Sequence, residues 1–365
     1  MKKLEKQDII DILYGCTVLG TGGGGSLARG LEMMQEDFDE ERPLYLADIS
    51  ELPDEEYVAT PYGCGAPSAG EEVEPEDGVK PAMLAFQALE RYIGKKFCAV
   101  SSTELGGENT AEALHVAAQL GIPIADGDPA GRSVPELIQS TYYLYGKSIA
   151  PLSVATNYGE VAILETVKDD FRAEALVRAM ATVSGNEISV CDHPMTGKEW
   201  KNSVIPGALS YAWGIGKLLR QVREDGGRGE DVARAIAENY DGELLFRGTV
   251  TAMPWECRDG FDFGSIHLKG IGEFENNTYR IDFQNENIAS YYNEKPDVTV
   301  PDLICMIAGD GEPVTTPDFA VGDEMLILAL PAPEPWTTPE GLKIFGPQHF
   351  GLETEYVPFS RRKRG

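Results

Sequence analysis

The chain has 365 residues, with 31 lysines and arginines against 60 aspartates and glutamates, a formal charge of −29. Its 42% hydrophobic and 25% charged residues are the proportions of a folded globular chain and exclude a disordered one. A body this acidic repels phosphate backbones, which disfavours nucleic-acid binding, and no apolar run reaches the ~18–20 residues of a membrane span.

The length favours two domains, because single cores stop growing beyond about 250–300 residues. Asp8 and Asp11 interrupt any apolar stretch after Met1, so the start does not read as a signal peptide. Cys16, Cys64, Cys98, Cys191, Cys257 and Cys305 are widely scattered and read as reduced thiols, with a cytoplasmic location expected. Four basic residues, Arg361, Arg362, Lys363 and Arg364, read as a solvated tail.

In chain order, Asp8 to Leu19 is an amphipathic helix with Ile9, Ile12, Leu13 and Cys16 on one face. Pro81 to Tyr92 predicts a helix, Phe97 to Ser101 a strand, Thr110 to Leu120 a helix and Ile122 to Ala125 a strand. Ser133 is expected to open another helix, Ser153 to Val167 reads as strand, 171–184 as helix and Glu187 to Cys191 as strand. Long helical signals follow at about 197–223 and 229–239. This alternation predicts an α/β domain, a mixed or parallel sheet with helices on its faces, over residues 1–241. From Leu244 to Leu330 the pattern becomes short strands between turns such as Arg258-Asp-Gly260 and Gly309-Asp-Gly311. It predicts a smaller all-β domain over 242–335, followed by a C-terminal segment, 336–365, that returns to the first domain.

Leu19-Gly-Thr-Gly-Gly-Gly-Gly-Ser26 is the most distinctive motif. It fits G-x-G-x-x-G but follows a helix rather than a strand, and no Gly-Lys-Ser/Thr closes it, so neither a dinucleotide fingerprint nor a P-loop is present. Backbone N–H groups of Gly22, Gly23, Gly24 and Gly25 can converge on an anion, with Ser26 capping a following helix, Leu27 to Met34. Glu104 lies at a strand end, where open α/β sheets bind ligands, and is a candidate acid or base. Asn109 beside it is a candidate substrate contact or the N-cap of the next helix. After the next strand come Asp126, Asp128 and Arg132, two carboxylates that could share a proton and an arginine that could clamp an anion. Ser133-Val-Pro-Glu136 is a capping box, which gives Glu136 either a substrate contact or a local role.

Metal binding has little support. Cys191 and His193 would share a face of a strand and are weak ligand candidates, and His115 falls on an exposed helix face with Glu112 and Gln119. A divalent metal is possible but not indicated, and the cofactor stays open. Cys64, flanked by glycines in Pro61-Tyr-Gly-Cys-Gly-Ala-Pro67, is a candidate nucleophile in a flexible setting. Asp282-Phe-Gln-Asn-Glu-Asn287 offers amides and acids to cap a turn or face an interdomain cleft, with turn chemistry favoured.

These segments, with Glu104-Leu-Gly-Gly107, Asp126-Gly-Asp-Pro-Ala-Gly-Arg132, Ile205-Pro-Gly207, Val300-Pro-Asp-Leu303, Leu330-Pro-Ala-Pro333 and Gly346-Pro-Gln-His-Phe-Gly351, occur in order along nearly the whole chain. The chain thereby resembles the S-methyl-thiohydantoin desulfurase-like family, which is associated with hydantoinase/oxoprolinase genes. The resemblance implies an α/β domain, a smaller β domain, and hydrolysis of a small S-methyl-thiohydantoin to a hydantoin and methanethiol. On that reading Asp126 or Glu104 serves as base, Asp128 assists, Arg132 and the glycine loop hold an anionic substrate, and attack by Cys64 is the variant. A hydantoinase-type ring-opening partner and a non-catalytic binding or assembly protein remain the alternatives. Apolar helical faces between 171 and 239 suggest a homo-oligomer.

Overall fold

The computed structural model describes residues 1–65, 75–76, 78–258, 260–316 and 318–362. Ala66-Pro67 of the Cys64 motif, Asp259 of the predicted turn and Lys363-Arg364 of the basic tail lie outside the described residues. The first helix, Lys6–Leu19, starts where the Asp8 carboxylate accepts the Glu5 N–H (3.0 Å), and it buries Ile9, Ile12, Leu13 and Cys16 as its periodicity predicts. It lies against the helix Ala208–Glu224 so closely that a Cβ on Gly15 would stand 1.7 Å from the Ala212 carbonyl oxygen. Only a residue without a side chain allows that approach.

Eight strands form the first sheet, in the order Lys2–Leu4, Leu44–Ala47, Ile124–Ala125, Phe97–Val100, Tyr57–Gly65, Glu187–Thr196, Leu152–Thr156 and Val161–Leu164. The run from Leu44–Ala47 to Tyr57–Gly65 is parallel, and every other pairing is antiparallel. The sheet is therefore mixed, with helices such as Pro81–Ile93 and Gly107–Leu120 packed on it. Phe97, Ala99 and Val100 of the strand Phe97–Val100 are buried, and alanines dominate the buried face of the helix Gly107–Leu120, as a sheet covered by helices requires.

The second sheet is antiparallel throughout and runs from Glu243–Ala252 to Glu324–Leu330. The strand Thr278–Gln284 alternates, with Tyr279, Ile281 and Phe283 pointing inward, whereas Leu303–Ala308 and Glu324–Leu330 are buried almost throughout. The sheet curls until Asn287 Nδ2 donates to the carbonyl of Ile304 (2.9 Å). Its outer apolar residues Leu326 and Leu328 join Val232 and Ile236 of the helix Gly229–Asn239, as well as Leu209 and Ile12, in one continuous core. The two regions are thus welded through the helices between them. From the C-terminal segment, Trp336 Nε1 donates to the Ala130 carbonyl (2.7 Å), and the Ile344 carbonyl accepts from Gln139 Nε2 (3.3 Å).

Several expected elements differ. The signal at 197–223 is two helices, Gly197–Lys201 and Ala208–Glu224, parted by the strand Ile205–Pro206 and by Gly207 at φ +72°. A proline and a left-handed glycine interrupt what the apolar period alone would continue. The run 153–167 is a hairpin, Leu152–Thr156 with Val161–Leu164, turned at Gly159. No helix opens at Ser133: residues 133–140 are irregular, and only Thr141–Leu144 is helical. Ser133 Oγ instead donates to Glu286 Oε1 of the second sheet (2.8 Å), so tertiary pairing replaces the capping box. No helix among the described residues is long and apolar enough to cross a membrane.

Candidate functional site

A cleft of about 700 Å³ opens between the glycine loop, the helix Gly107–Leu120, the strand Tyr57–Gly65 and the start of the strand Glu286–Tyr292. The glycine loop braces the two regions together. Its Thr21 and Gly22 carbonyls accept N–H groups from Asn287 (2.8 Å) and Thr316 (2.9 Å) of the second region. The Gly24 carbonyl caps the helix Gly107–Leu120 by accepting the Glu108 and Asn109 N–H groups (3.1 and 3.2 Å). A Cβ on Gly24 would stand 2.6 Å from Gly106 Cα, and one on Gly23 would stand 1.9 Å from Glu286 Oε1, so the run of glycines is required by close approach. Ser26 is the N-cap of Leu27–Met33, but its side chain caps nothing, and its N–H donates to Glu108 Oε2 (3.3 Å). The anion at this helix start is therefore one of the chain's own carboxylates.

Glu104 stands on the cleft wall in a left-handed backbone conformation (φ +54°), with no hydrogen-bond partner for its carboxyl among the described residues. Desolvation, with the charge of Glu286, pushes its pKa well above the usual carboxylate range. Glu286 is 3% exposed; one oxygen accepts from Ser133, and Oε2 is buried with no partner among the described residues. Burial raises it to about 7. Glu112, buried and bonded by the Ser189 hydroxyl, rises to about 8 for the same reason. Asn109 lies one turn into its helix rather than at the cap, which is Gly106. Its Oδ1 accepts the Gly63 N–H (3.1 Å), fixing the amide at the cleft. Arg178 lines the same wall, stacked on Phe261 at 3.7 Å and donating to Glu174 and to the Gly260 and Pro135 carbonyls. Arg29, near the mouth, pairs with Glu108 and Glu187 (both 3.2 Å).

The aspartate–arginine motif lies elsewhere. Asp126 accepts the Ser210 N–H (3.0 Å) and hydroxyl (2.5 Å) at the start of Ala208–Glu224 and lines no part of the cleft. Asp128 is fully buried, accepts the Ala130 and Gly131 N–H groups (2.7 and 2.6 Å) and rises to about 6 through burial. Arg132 is fully buried too. Nε donates to Ser133 O (2.9 Å), Nη1 to Pro301 O and Asp302 O (both 3.2 Å), and Nη2 to Thr21 Oγ1 (2.6 Å). It ties three chain segments together instead of clamping a substrate. Glu136 holds His349 Nε2 (2.8 Å) and with it the C-terminal segment. Asp126→Asn should therefore cost about 1 kcal/mol of stability in urea unfolding through the lost cap, with no loss of turnover per folded molecule.

Cys64 does line the cleft, yet it belongs to the strand Tyr57–Gly65 and not to a flexible loop, and burial holds its thiol up at about 12. A thiol so raised is no nucleophile at neutral pH, so Cys64→Ser is expected to leave turnover unchanged in a steady-state assay. Cys191 and His193 do not share a face. The strand is irregular here, with His193 at φ +44° and a register shift opposite Val58 to Thr60, so Cys191 enters the main core while His193 turns toward Tyr142. Among the described residues no group of three or more His, Cys, Asp or Glu side chains could hold a metal ion. His115 is buried, its Nδ1 on Asp37 Oδ2 (2.6 Å), which corrects the exposed face expected of it. Sequence reasoning missed Glu286, Glu112 and Arg178 as cleft residues. For Glu286 the signal was present in Asp282 to Asn287, where Asn285 (φ +54°) makes the turn and releases the next residue to the cleft.

The fold and cleft define a two-region protein with a mixed α/β part, a large curled antiparallel sheet and a carboxyl-lined cavity between them. Models of the S-Me-THD-like N-terminal and C-terminal domains match residues 7–166 and 168–359, and the chain belongs to this S-methyl-thiohydantoin desulfurase-like family. The family boundary at 167 precedes the strand Glu187–Thr196, which pairs inside the first sheet, so the C-terminal family segment contributes to both sheets. No curated protein matches. A crystal structure of a protein from Chromobacterium violaceum is similar with a TM-score of 0.81 at 22% identity, covering 98% of this chain and 100% of the other, a likeness of fold.

Proposed function

We propose that the chain is a hydrolase of a small five-membered cyclic amidine, converting an S-methyl-thiohydantoin and water to a hydantoin and methanethiol. The observation that carries this reading is the pair Glu104 and Glu286, two carboxyls from the two regions on the wall of one cleft, both raised by desolvation and Glu104 raised further by the charge of Glu286. A pair of titratable groups pushed apart in this way supplies one acid and one base. Glu286, at about 7, is ionised often enough near neutrality to take a proton from water as its oxygen attacks the ring C2. Glu104, held protonated, gives its proton to the ring nitrogen as the C=N pair moves there. When the C–S bond breaks, Glu286 returns its proton to the departing thiolate and the new hydroxyl returns one to Glu104, so both groups reset. Asn109 and the cleft-facing backbone of the glycine loop orient the ring.

Seven carboxyl groups against three cations line the cleft among the described residues. This favours a neutral ring that accepts and donates hydrogen bonds over the anionic substrate expected from the sequence. In this reading residues 1–241 and 242–335 are the two structural units, and the described part of the segment 336–365, as far as Arg362, clasps them. The test is methanethiol release from a panel of S-methyl-thiohydantoins by the purified chain without ATP. Release by the wild type and its loss in Glu104→Gln are expected; release unaffected by Glu104→Gln would sink the assignment.

A further inference from the structure

Beside the main cleft, with Glu104 on the wall of both, lies a small cavity of about 20 Å³, the size of a single water. Tyr62, Glu104, Tyr142, Asp192 and His193 are among the side chains that line it. His193 is 4% exposed and its ring rests on Tyr142, with centroids 4.5 Å apart. Its Nδ1 meets Asp192 Oδ1 at 2.8 Å, and Asp192 Oδ2 accepts the Tyr62 hydroxyl at 2.7 Å. A carboxylate on Nδ1 fixes the proton there and leaves Nε2 as an acceptor. That Nε2 is buried and meets no partner among the described residues. Glu104 and His193, which both line this cavity, hold left-handed backbones, φ +54° and +44°. Strain of this kind persists where the surroundings over-determine it, and it clusters at working sites.

We propose that a water in this cavity joins His193 Nε2 to the Glu104 carboxyl, making Asp192 and His193 positioning residues for Glu104. The reading rests on the assignment of Glu104 as the acid. The polarity follows from the chain of partners. Asp192 accepts from Nδ1–H, so Nε2 accepts one proton of the water. The other proton of that water then goes to one oxygen of Glu104. With that oxygen occupied as an acceptor, the acidic proton of Glu104 sits on the other oxygen, which faces the cleft and the ring nitrogen. Tyr62, which lines both cavities, fixes the far oxygen of Asp192. Charged groups facing Glu104 are Glu286, Arg178, Glu174 and Asp128, and Asp170 faces His193. None of them reaches Nε2 with a hydrogen bond among the described residues.

The test combines a crystal structure of the full chain, at a resolution that places ordered waters, with kinetics of three variants. Density for a water within hydrogen-bond distance of both His193 Nε2 and a Glu104 oxygen is expected. Its absence, or contact with only one of the two, overturns the proposal whether or not the chain turns over a thiohydantoin. His193→Phe keeps the ring stack and deletes the acceptor; it should lower kcat roughly 10- to 100-fold with KM unchanged, a fraction of what a proton-transfer group supplies. His193→Gln, whose amide oxygen can accept from the water, should recover most of that loss. Asp192→Asn, which frees the tautomer, should resemble His193→Phe. Equal rates in all three, or a loss in KM and folding with no rescue by glutamine, would show a packing role only and overturn it. A wild type that releases no methanethiol removes the hydrolase reading and the role in turnover, while the bridging water is still decided by the density.

Discussion

Glu286→Gln should lower methanethiol release by about 10²- to 10⁴-fold, the usual loss when a positioned proton-transfer group is removed. The substitution preserves shape and the Ser133 hydrogen bond, which the amide oxygen can still accept, so the folded structure should persist. The pH profile carries the diagnosis. A base at about 7 must be ionised to act, so wild-type kcat/KM should climb as pH rises through 7 and level off above it. Glu286→Gln should flatten that limb along with lowering the rate. Glu104 must stay protonated, and desolvation holds its pKa well above the usual carboxylate range, so its falling limb lies above that of an ordinary carboxylate and should vanish in Glu104→Gln. If Glu286→Gln retained both rate and rising limb, the carboxyl pair would have no part in the chemistry.

Stability should fall as pH rises from about 4.5 to 8, the reverse of a protein held by ionised carboxylates. Glu286, Glu112 and Asp128 are raised to about 7, 8 and 6, each chiefly by burial. Between the unfolded and folded values the folded chain binds the extra proton, so the slope of unfolding free energy with pH is negative. For Glu286, a rise from 4.5 to about 7 corresponds to roughly 3 kcal/mol present below pH 4.5 and lost by pH 7. His349, raised by its bond to Glu136, acts in the same direction. Urea midpoints should therefore be higher at pH 5.5 than at pH 8.5, and Glu112→Gln should shrink the difference. A midpoint that rises between those two pH values would contradict the burial of these groups as acids. The pattern also gives the fold a physical reason to keep protonated carboxyls in the cleft, where they serve as hydrogen-bond donors.

The motifs that stood out in the chain divide into two kinds in space. Glu104 and Asn109 reach the cleft because they follow a sheet strand and open a helix, a local geometry that alternation and glycine spacing already encode. Asp126, Asp128 and Arg132 look equally catalytic on paper. Their partners are the Ser210 N–H, two local N–H groups and the carbonyls of Pro301 and Asp302, up to 170 residues away. No spacing rule shows that a buried arginine has all three of its nitrogens committed to structure. The glycine loop falls between the two. Its backbone does line a site, but its composition answers to Gly106 and Glu286 pressing against it.

Periodicity by itself determined most helices and the change of texture near Gly242, because burial of one face is a local pattern, but whether the first sheet was parallel or mixed was decided only by its strand pairing. Its acidity determined that any ligand must be met by local donors. Which carboxyls became acids, and which became caps and ties, was decided only when the curled sheet closed over the glycine loop. Proton affinity depends on desolvation and on neighbours brought from 182 positions away, as with Glu104 and Glu286, and neither quantity is written in the order of residues.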